Sequence, residues 1–471
     1  MRRAVIAAGS AFAGLAALPA TAAAHGLVGR QDLPIPRWLF AWAAAVVLVA
    51  SFVGLATLWP TPRMQVLRER VVARLPAIGE ALCGAIGIAL FVLVVYTGLA
   101  GNQTATANLT PTVVYVLFWV GIPFISALVG DVFSLFNPWR AFARAVAWVA
   151  RRVSGPGSLP EPLPYPERLG RWPAAAGILL FAWVELVYVD RTDPSQLAIM
   201  GLAYAATMLV GMSLYGIDDW ERRADPFAVY FNLFSRLSPV HWENRRIAVH
   251  RPLEGVVPLT PVAGTVALLC TMIGTTSFDG FSQGSTWNSL APHIQQGLLD
   301  LDLSSNLAVQ VTFTIGLVAM VCLVGLLYRF GVMGMHTVGE NHSTAELAGK
   351  FAHSLVPIAL AYVVAHYFSL LVYNGQATAY LASDPLGDGS DLFGTASATI
   401  NYGVISATGI WYVQVAALVV GHVCGLILAH DRAIAMYRSP RLATRSQYWM
   451  LAVMVAFTSL GLWLLSAANQ A

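Results

Sequence analysis

The sequence predicts an all-α polytopic membrane protein, with about ten transmembrane helices behind a cleavable signal peptide. Three observations carry the prediction: charge is scarce, apolar runs of membrane-crossing length recur, and arginine alternates strictly between successive loops. Of 471 residues, 57% are hydrophobic and 11% charged, and the mean hydropathy is +0.65. Soluble domains carry roughly 25% charged residues, so this chain could not keep a soluble surface wet and a lipid bilayer must cover much of it. The net charge of +3 gives no sign of a nucleic-acid partner. Cys83, Cys270, Cys322 and Cys424 each sit in an apolar stretch without a CxxC spacing, which excludes a disulfide framework.

The chain opens on a basic Met1-Arg2-Arg3, an apolar Ala4–Leu18 and a small-residue cleavage site at Ala22-Ala23-Ala24. This is a signal-peptide pattern covering 1–24. A mature terminus at His25 would offer an amine and an imidazole to copper, although the outer loops add only His293.

Residues 25–471 then read as one transmembrane domain. Apolar runs fall at 38–59, 78–100, 111–135, 173–189, 196–216, 255–277, 306–330, 351–373, 409–430 and 447–467. Each approaches the ~20 residues that a helix needs to cross a membrane. Alternate loops hold Arg63 to Arg74, Arg140 to Arg171, Arg222 to Arg251, Arg329 with Lys350, and Arg432 to Arg445, while the other set holds only Arg30, Arg37 and Arg191. By the positive-inside rule the rich loops face the cytoplasm. Both mature termini then lie outside, as a cleaved leader requires, in the inner (plasma) membrane. Between the third and fourth runs, Pro160, Pro162, Pro164 and Pro166 mark an extended linker. The outer segments 278–305 and 374–408 are too short for a separate core. Five spans per half would suit an inverted repeat, but no sequence repeat is visible.

Ionisable groups inside a membrane are costly and mark functional sites. Glu185, in the fourth run, sits roughly 19 Å from its cytoplasmic end and His366, in the eighth, roughly 20 Å. A shared level makes them candidate catalytic partners. With His422 of the ninth run they are candidate metal ligands, and a divalent metal is the cofactor expectation. Tyr362, His366, Ser369 and Tyr373 are spaced by four, three and four and share one helix face. Ser343-Thr-Ala-Glu346 reads as a capping box that starts this helix. A lone membrane histidine is more often an interhelical hydrogen bond than a ligand. Haem is disfavoured, because His353 and His366 diverge by roughly 220° around the helix.

Two weaker metal candidates lie in loops. His336, Glu340 and His342 gather ligand types without a zinc signature. Asp384, Asp388 and Asp391 lie among glycines, where a hard cation or a simple Asx turn would suit them equally. There is no GxSxG, Walker A or strand-linked GxGxxG pattern, which disfavours serine hydrolases, ATPases and dinucleotide enzymes.

Four stretches, Ala24–Phe40, Phe351–Ser369, Ser383–Gly394 and Ser446–Trp463, resemble a group of actinobacterial multi-pass membrane proteins labelled fenitrothion hydrolase. The resemblance runs from leader to C-terminus. It implies hydrolysis of an organophosphorus triester, a reaction suited to metal-activated hydroxide, but it carries over no catalytic residue. Three classes stay open on the sequence: a membrane-embedded hydrolase, an ion- or proton-coupled transporter, and a membrane subunit holding a partner.

Overall fold

The computed structural model describes residues 37–155, 160–243, 245–338 and 342–467. Residues 1–24, expected to be a signal peptide, together with His25 and Glu340, lie outside the described residues. In lipid every backbone polar group must be satisfied within its own segment, so apolar runs fold as helices. A helix covers at least part of each of the ten predicted runs: α1 (Arg37–Leu58), α2 (Ala77–Ala100), α3 (Leu109–Val129), α6 (Trp172–Leu186), α7 (Pro194–Tyr215), α10 (Thr265–Ser282), α12 (Ser305–Gly334), α13 (Thr344–Asn374), α15 (Ala407–Met436) and α17 (Tyr448–Ala467). Shorter helices fill the connections: α4 (Val132–Phe136), α5 (Pro138–Ser154), α8 (Ile217–Arg223), α9 (Pro226–Ser235), α11 (Ser285–Leu299), α14 (Ala377–Ser383) and α16 (Pro440–Ser446). Among the described residues, six helices are long and apolar enough to cross a membrane, namely α2, α3, α7, α12, α13 and α15.

Two boundaries differ from the sequence expectation in ways that matter below. The third run stops at Val129 because Gly130 takes φ +95°, a conformation open mainly to glycine. Asp131 then caps α4 by accepting from the Ser134 N–H at 3.1 Å. The sixth run starts at Thr265 rather than 255. Pro258 and Pro261 precede it, and Gly264 turns the chain at φ +77°. The expected cap at Ser343 forms, with its hydroxyl accepting from the Glu346 N–H at 3.1 Å.

The all-α expectation meets one small exception. Strands β1 (Arg70–Arg74), β2 (Val240–Glu243) and β3 (Arg246–Val249) form an antiparallel sheet in the order β1-β3-β2, with Arg70 opposite Val249 and Val240 opposite the same residue. The sheet belongs to the connecting loops, where water can satisfy its edges.

The arginine-rich connections gather at one end of the bundle. Leu75 N–H donates to the Arg245 carbonyl at 2.8 Å and Arg432 to the Val257 carbonyl at 3.0 Å. Asp431 receives Trp59 Nε1, the Arg63 and Met64 amides and Gln65 Nε2 at 2.9, 2.6, 3.0 and 2.5 Å. The arginine-poor loops meet at the other end, where Asn102 N–H donates to the Leu386 carbonyl at 2.7 Å and Ser195 N–H to Gln103 at 3.2 Å. Helix α5 is amphipathic: it exposes Phe142, Val146, Trp148, Val149 and Val153 beside its arginines, as a helix lying in the membrane interface does.

Helix α10 is the hub. It packs against α6, α12, α13 and α17 and buries nearly all its side chains. The α13–α15 pair is the tightest. A Cβ at Gly421 would lie 2.8 Å from the Pro357 carbonyl oxygen and one at Gly425 2.8 Å from that of Ser354. Small residues four apart let the two backbones approach.

Candidate functional site

Three helices bring ionisable side chains to one place inside the bundle. His366 Nε2 lies 2.8 Å from Asp279 Oδ2, with the two side chains 7% and 0% exposed. The Tyr367 hydroxyl donates to the same oxygen at 2.9 Å, and the His366 and Tyr367 rings pack edge to face at 4.6 Å. Gly280 backs the imidazole, its notional Cβ 3.5 Å from Nδ1. Glu185, in the last turn of α6, is close enough to Asp279 for the two carboxyls to interact electrostatically. Thus Glu185 and His366 belong to one neighbourhood, joined through Asp279.

Asp279 is the residue that sequence reasoning missed. Placing the sixth span at 255–277 leaves Asp279 in an outer loop. With the helix starting at Thr265, Asp279 is its fifteenth residue and fully buried. The sequence did carry the signal: Pro258, Pro261 and Gly264 are helix-delaying residues, and Phe278 and Phe281 continue the apolar pattern beyond 277. Tyr367 was also passed over, because it stands one residue off the stripe at 362, 366, 369 and 373. Of that stripe, Tyr362 donates to the Phe457 carbonyl at 3.0 Å and Tyr373 to the Ile405 carbonyl at 3.0 Å, while the Ser369 hydroxyl is buried without a partner.

Aromatic side chains close the site. Trp119 stacks on Tyr230 at 4.8 Å and lies against the Glu185 carboxyl. Yet its N–H and Glu185 Oε2 are both buried without a hydrogen-bond partner. Tyr115, also within electrostatic reach of Glu185, donates to the Arg191 carbonyl at 2.6 Å. Both aromatics sit on Thr112–Gly121 of α3, which is wound as a π-helix. Such wide turns are rare and concentrate at functional sites.

The other sequence candidates lie elsewhere. His422 is fully buried, with Nδ1 2.7 Å from the Leu418 carbonyl oxygen and its ring 6.1 Å from that of Tyr362 on α13. His336 Nε2 is 3.0 Å from Thr344 Oγ1, and His342 Nδ1 is 3.6 Å from Glu346. Asp384 accepts from the Asp388 and Gly389 amides at 3.0 Å each. Asp391 accepts from Ser383 at 2.6 Å and the Ala396 amide at 3.0 Å. Both carboxyls are lowered from the usual carboxylate range: Asp384, against the upward effect of burial, by the Gly389 and Asp388 amides, and Asp391 chiefly by the Ser383 hydroxyl. Their oxygens thus serve the turn. Among the described residues, no three His, Cys, Asp or Glu side chains converge as a metal cluster.

What the main cluster can do is move protons. Asp279 contacts the His366 imidazole and the Tyr367 phenol directly, and Glu185 interacts with it electrostatically, so the protonation of these groups is coupled. No family model matches this chain, and neither a curated protein nor a solved structure is significantly similar to it.

Proposed function

We propose that the chain is an ion- or proton-coupled transporter of the cell membrane, with ten spans, a cleaved leader, the arginine-rich end in the cytoplasm and both mature termini outside. One observation carries this reading: the Glu185–Asp279–His366 cluster lies inside a bundle of apolar helices. Intramembrane acids and histidines are expensive to keep and characteristically form proton or ion relays. Asp279 orients the imidazole, and Glu185 supplies a second acceptor with one oxygen left over. A proton or cation exchanged between Glu185 and His366 would pass by way of Asp279, which contacts His366 and interacts electrostatically with Glu185. Proteoliposomes loaded with a pH-sensitive dye should show protein-dependent proton movement under an imposed gradient. Glu185→Gln and His366→Gln should abolish it without preventing insertion, and wild-type protein that moves no protons would refute the reading.

A second reading rests on the Asp279–His366 pair, because a carboxylate-oriented imidazole is also the general-base half of a hydrolase. With the resemblance to proteins labelled fenitrothion hydrolase, it supports water attack on an organophosphorus triester, with or without a divalent metal. Release of nitrophenolate from such a triester, lost in His366→Gln, would favour the enzyme over the transporter.

A further inference from the structure

The arginine-rich end holds a cavity of about 230 Å³, walled by α4, α8, α9 and the strands β2 and β3. It is unrelated to the intramembrane cluster. Six arginines and five carboxylates line it, and four of the carboxylates stand within 4.0 Å of an arginine. Glu80 pairs with Arg144 at 2.5 Å and stands 4.0 Å from both Arg140 and Arg245. Glu221 is 3.4 Å from Arg140, Asp218 3.7 Å from Arg144 and Glu243 3.5 Å from Arg222. Asp131 accepts from the Ser134 amide and from Asn232 Nδ2 at 2.8 Å and is within electrostatic reach of Arg236.

This leaves Arg171, Arg236 and Arg246 with no carboxylate within 4.0 Å among the described residues. Arg171 donates to the Thr260 carbonyl and Thr265 hydroxyl at 3.0 and 2.9 Å, and its Nε is buried without a partner. Arg236 is part-buried, and among the described residues its Nε donates to Asn232 Oδ1 at 3.1 Å. Burial and the neighbouring Arg236 guanidinium lower Arg171 to about 10, and burial lowers Arg236 as well. Arg171 and Arg236 both line the cavity; Asp131 and Glu243 partly offset Arg236, so the charge left unbalanced there is chiefly that of Arg171.

We infer that this cavity binds a phosphate-bearing anion between Arg171 and Arg236, with Arg246 at its rim. Guanidinium forks match phosphate oxygens in bidentate pairs, and several arginines suit a tetrahedral dianion better than a planar carboxylate. The volume exceeds the ~30 Å³ share of one water several-fold, so a phosphoryl group enters with room for a small organic part. The source is either a free phosphate compound or a phospholipid headgroup.

The test is calorimetric titration of the full-length protein in detergent with inorganic phosphate, and thermal unfolding in phosphatidylcholine nanodiscs with and without phosphatidic acid. Saturable phosphate binding weakened about tenfold or more by Arg236→Gln and by Arg171→Gln, but unchanged by Arg74→Gln on the exposed strand β1, supports a free phosphate ligand. Stabilisation by phosphatidic acid alone, lost in Arg236→Gln, identifies a lipid headgroup. Arginine-specific dicarbonyl labelling of the wild-type protein, read by mass spectrometry, keeps the question open to refutation if a variant fails to fold. Phosphate or phosphatidic acid should protect Arg171 and Arg236 but not Arg74. Absence of protection by either, or equal affinity in Arg236→Gln and wild type, overturns the site.

Discussion

Asp279→Asn isolates the charge on which the intramembrane cluster depends. The substitution keeps the shape of a side chain that is fully buried. Tyr367 donates to Asp279 Oδ2 at 2.9 Å, and His366 Nε2 lies 2.8 Å from the same oxygen as an ion-pair contact. The amide oxygen can keep the Tyr367 bond, but the charge assistance to His366 is lost. A hydrogen bond to a charged group contributes about 1.5–3 kcal/mol, whereas interhelical bonds within membranes average nearer 0.6 kcal/mol. The expected cost is therefore about 1–2 kcal/mol, with insertion intact. His366→Gln should cost a similar amount. Because both remove the same interaction, the double variant should be less destabilised than the sum, with a coupling of about 1 kcal/mol. Unfolding of the purified protein in mixed detergent micelles measures all three. Additivity within about 0.5 kcal/mol would show that the pair carries no interaction energy, and with it the oriented-imidazole argument would fall.

Four further outcomes follow from particular contacts. Burial raises the Glu221 carboxyl from 4.5 to about 7 against the opposing effect of Arg140. A raised acid means that the folded state holds the proton more tightly, so stability falls as pH rises from about 4.5 to 7; the full penalty of about 3 kcal/mol at 1.36 kcal/mol per unit is present above 7. Glu221→Gln should flatten that part of the thermal stability profile, and an unchanged pH slope would contradict the assignment. Asp431→Asn turns one of two acceptor oxygens into a donor, facing either the donors of Trp59 and Arg63 or those of Met64 and Gln65. It should cost about 2–4 kcal/mol in thermal unfolding at about 1–3 kcal/mol per stranded group, and a loss under about 0.5 kcal/mol would sink the argument. Gly421→Ala places a Cβ against Ala361 and 2.8 Å from the Pro357 carbonyl oxygen; overpacking there should cost about 1–3 kcal/mol, visible as a lower Tm. Arg152→Cys and Leu392→Cys, both at exposed positions, should label from opposite sides of the membrane in a cysteine-free background, and same-side labelling would disprove the alternating topology.

The sequence by itself determined which segments are helical and which loops lie together. Apolar runs fold as helices because lipid leaves their backbone groups no other partner, and the arginine alternation reappears as Leu75 meeting Arg245 and Arg432 meeting Val257 at one end. Local chemistry was legible too, as at the Ser343 cap, because a cap depends on residues three apart. Glu185 and His366 were visible as costly charges, but their relation was not. Depth along a helix follows from counting residues, whereas which helices are neighbours does not. Only the packing of α6 and α13 around α10 decided that Asp279 stands between them. The cavity holding Arg171 and Arg236 was hidden for the same reason. Each arginine reads as one more positive loop residue, and its burial beside another cation comes from α9 and the small sheet folding over segments far apart in the chain.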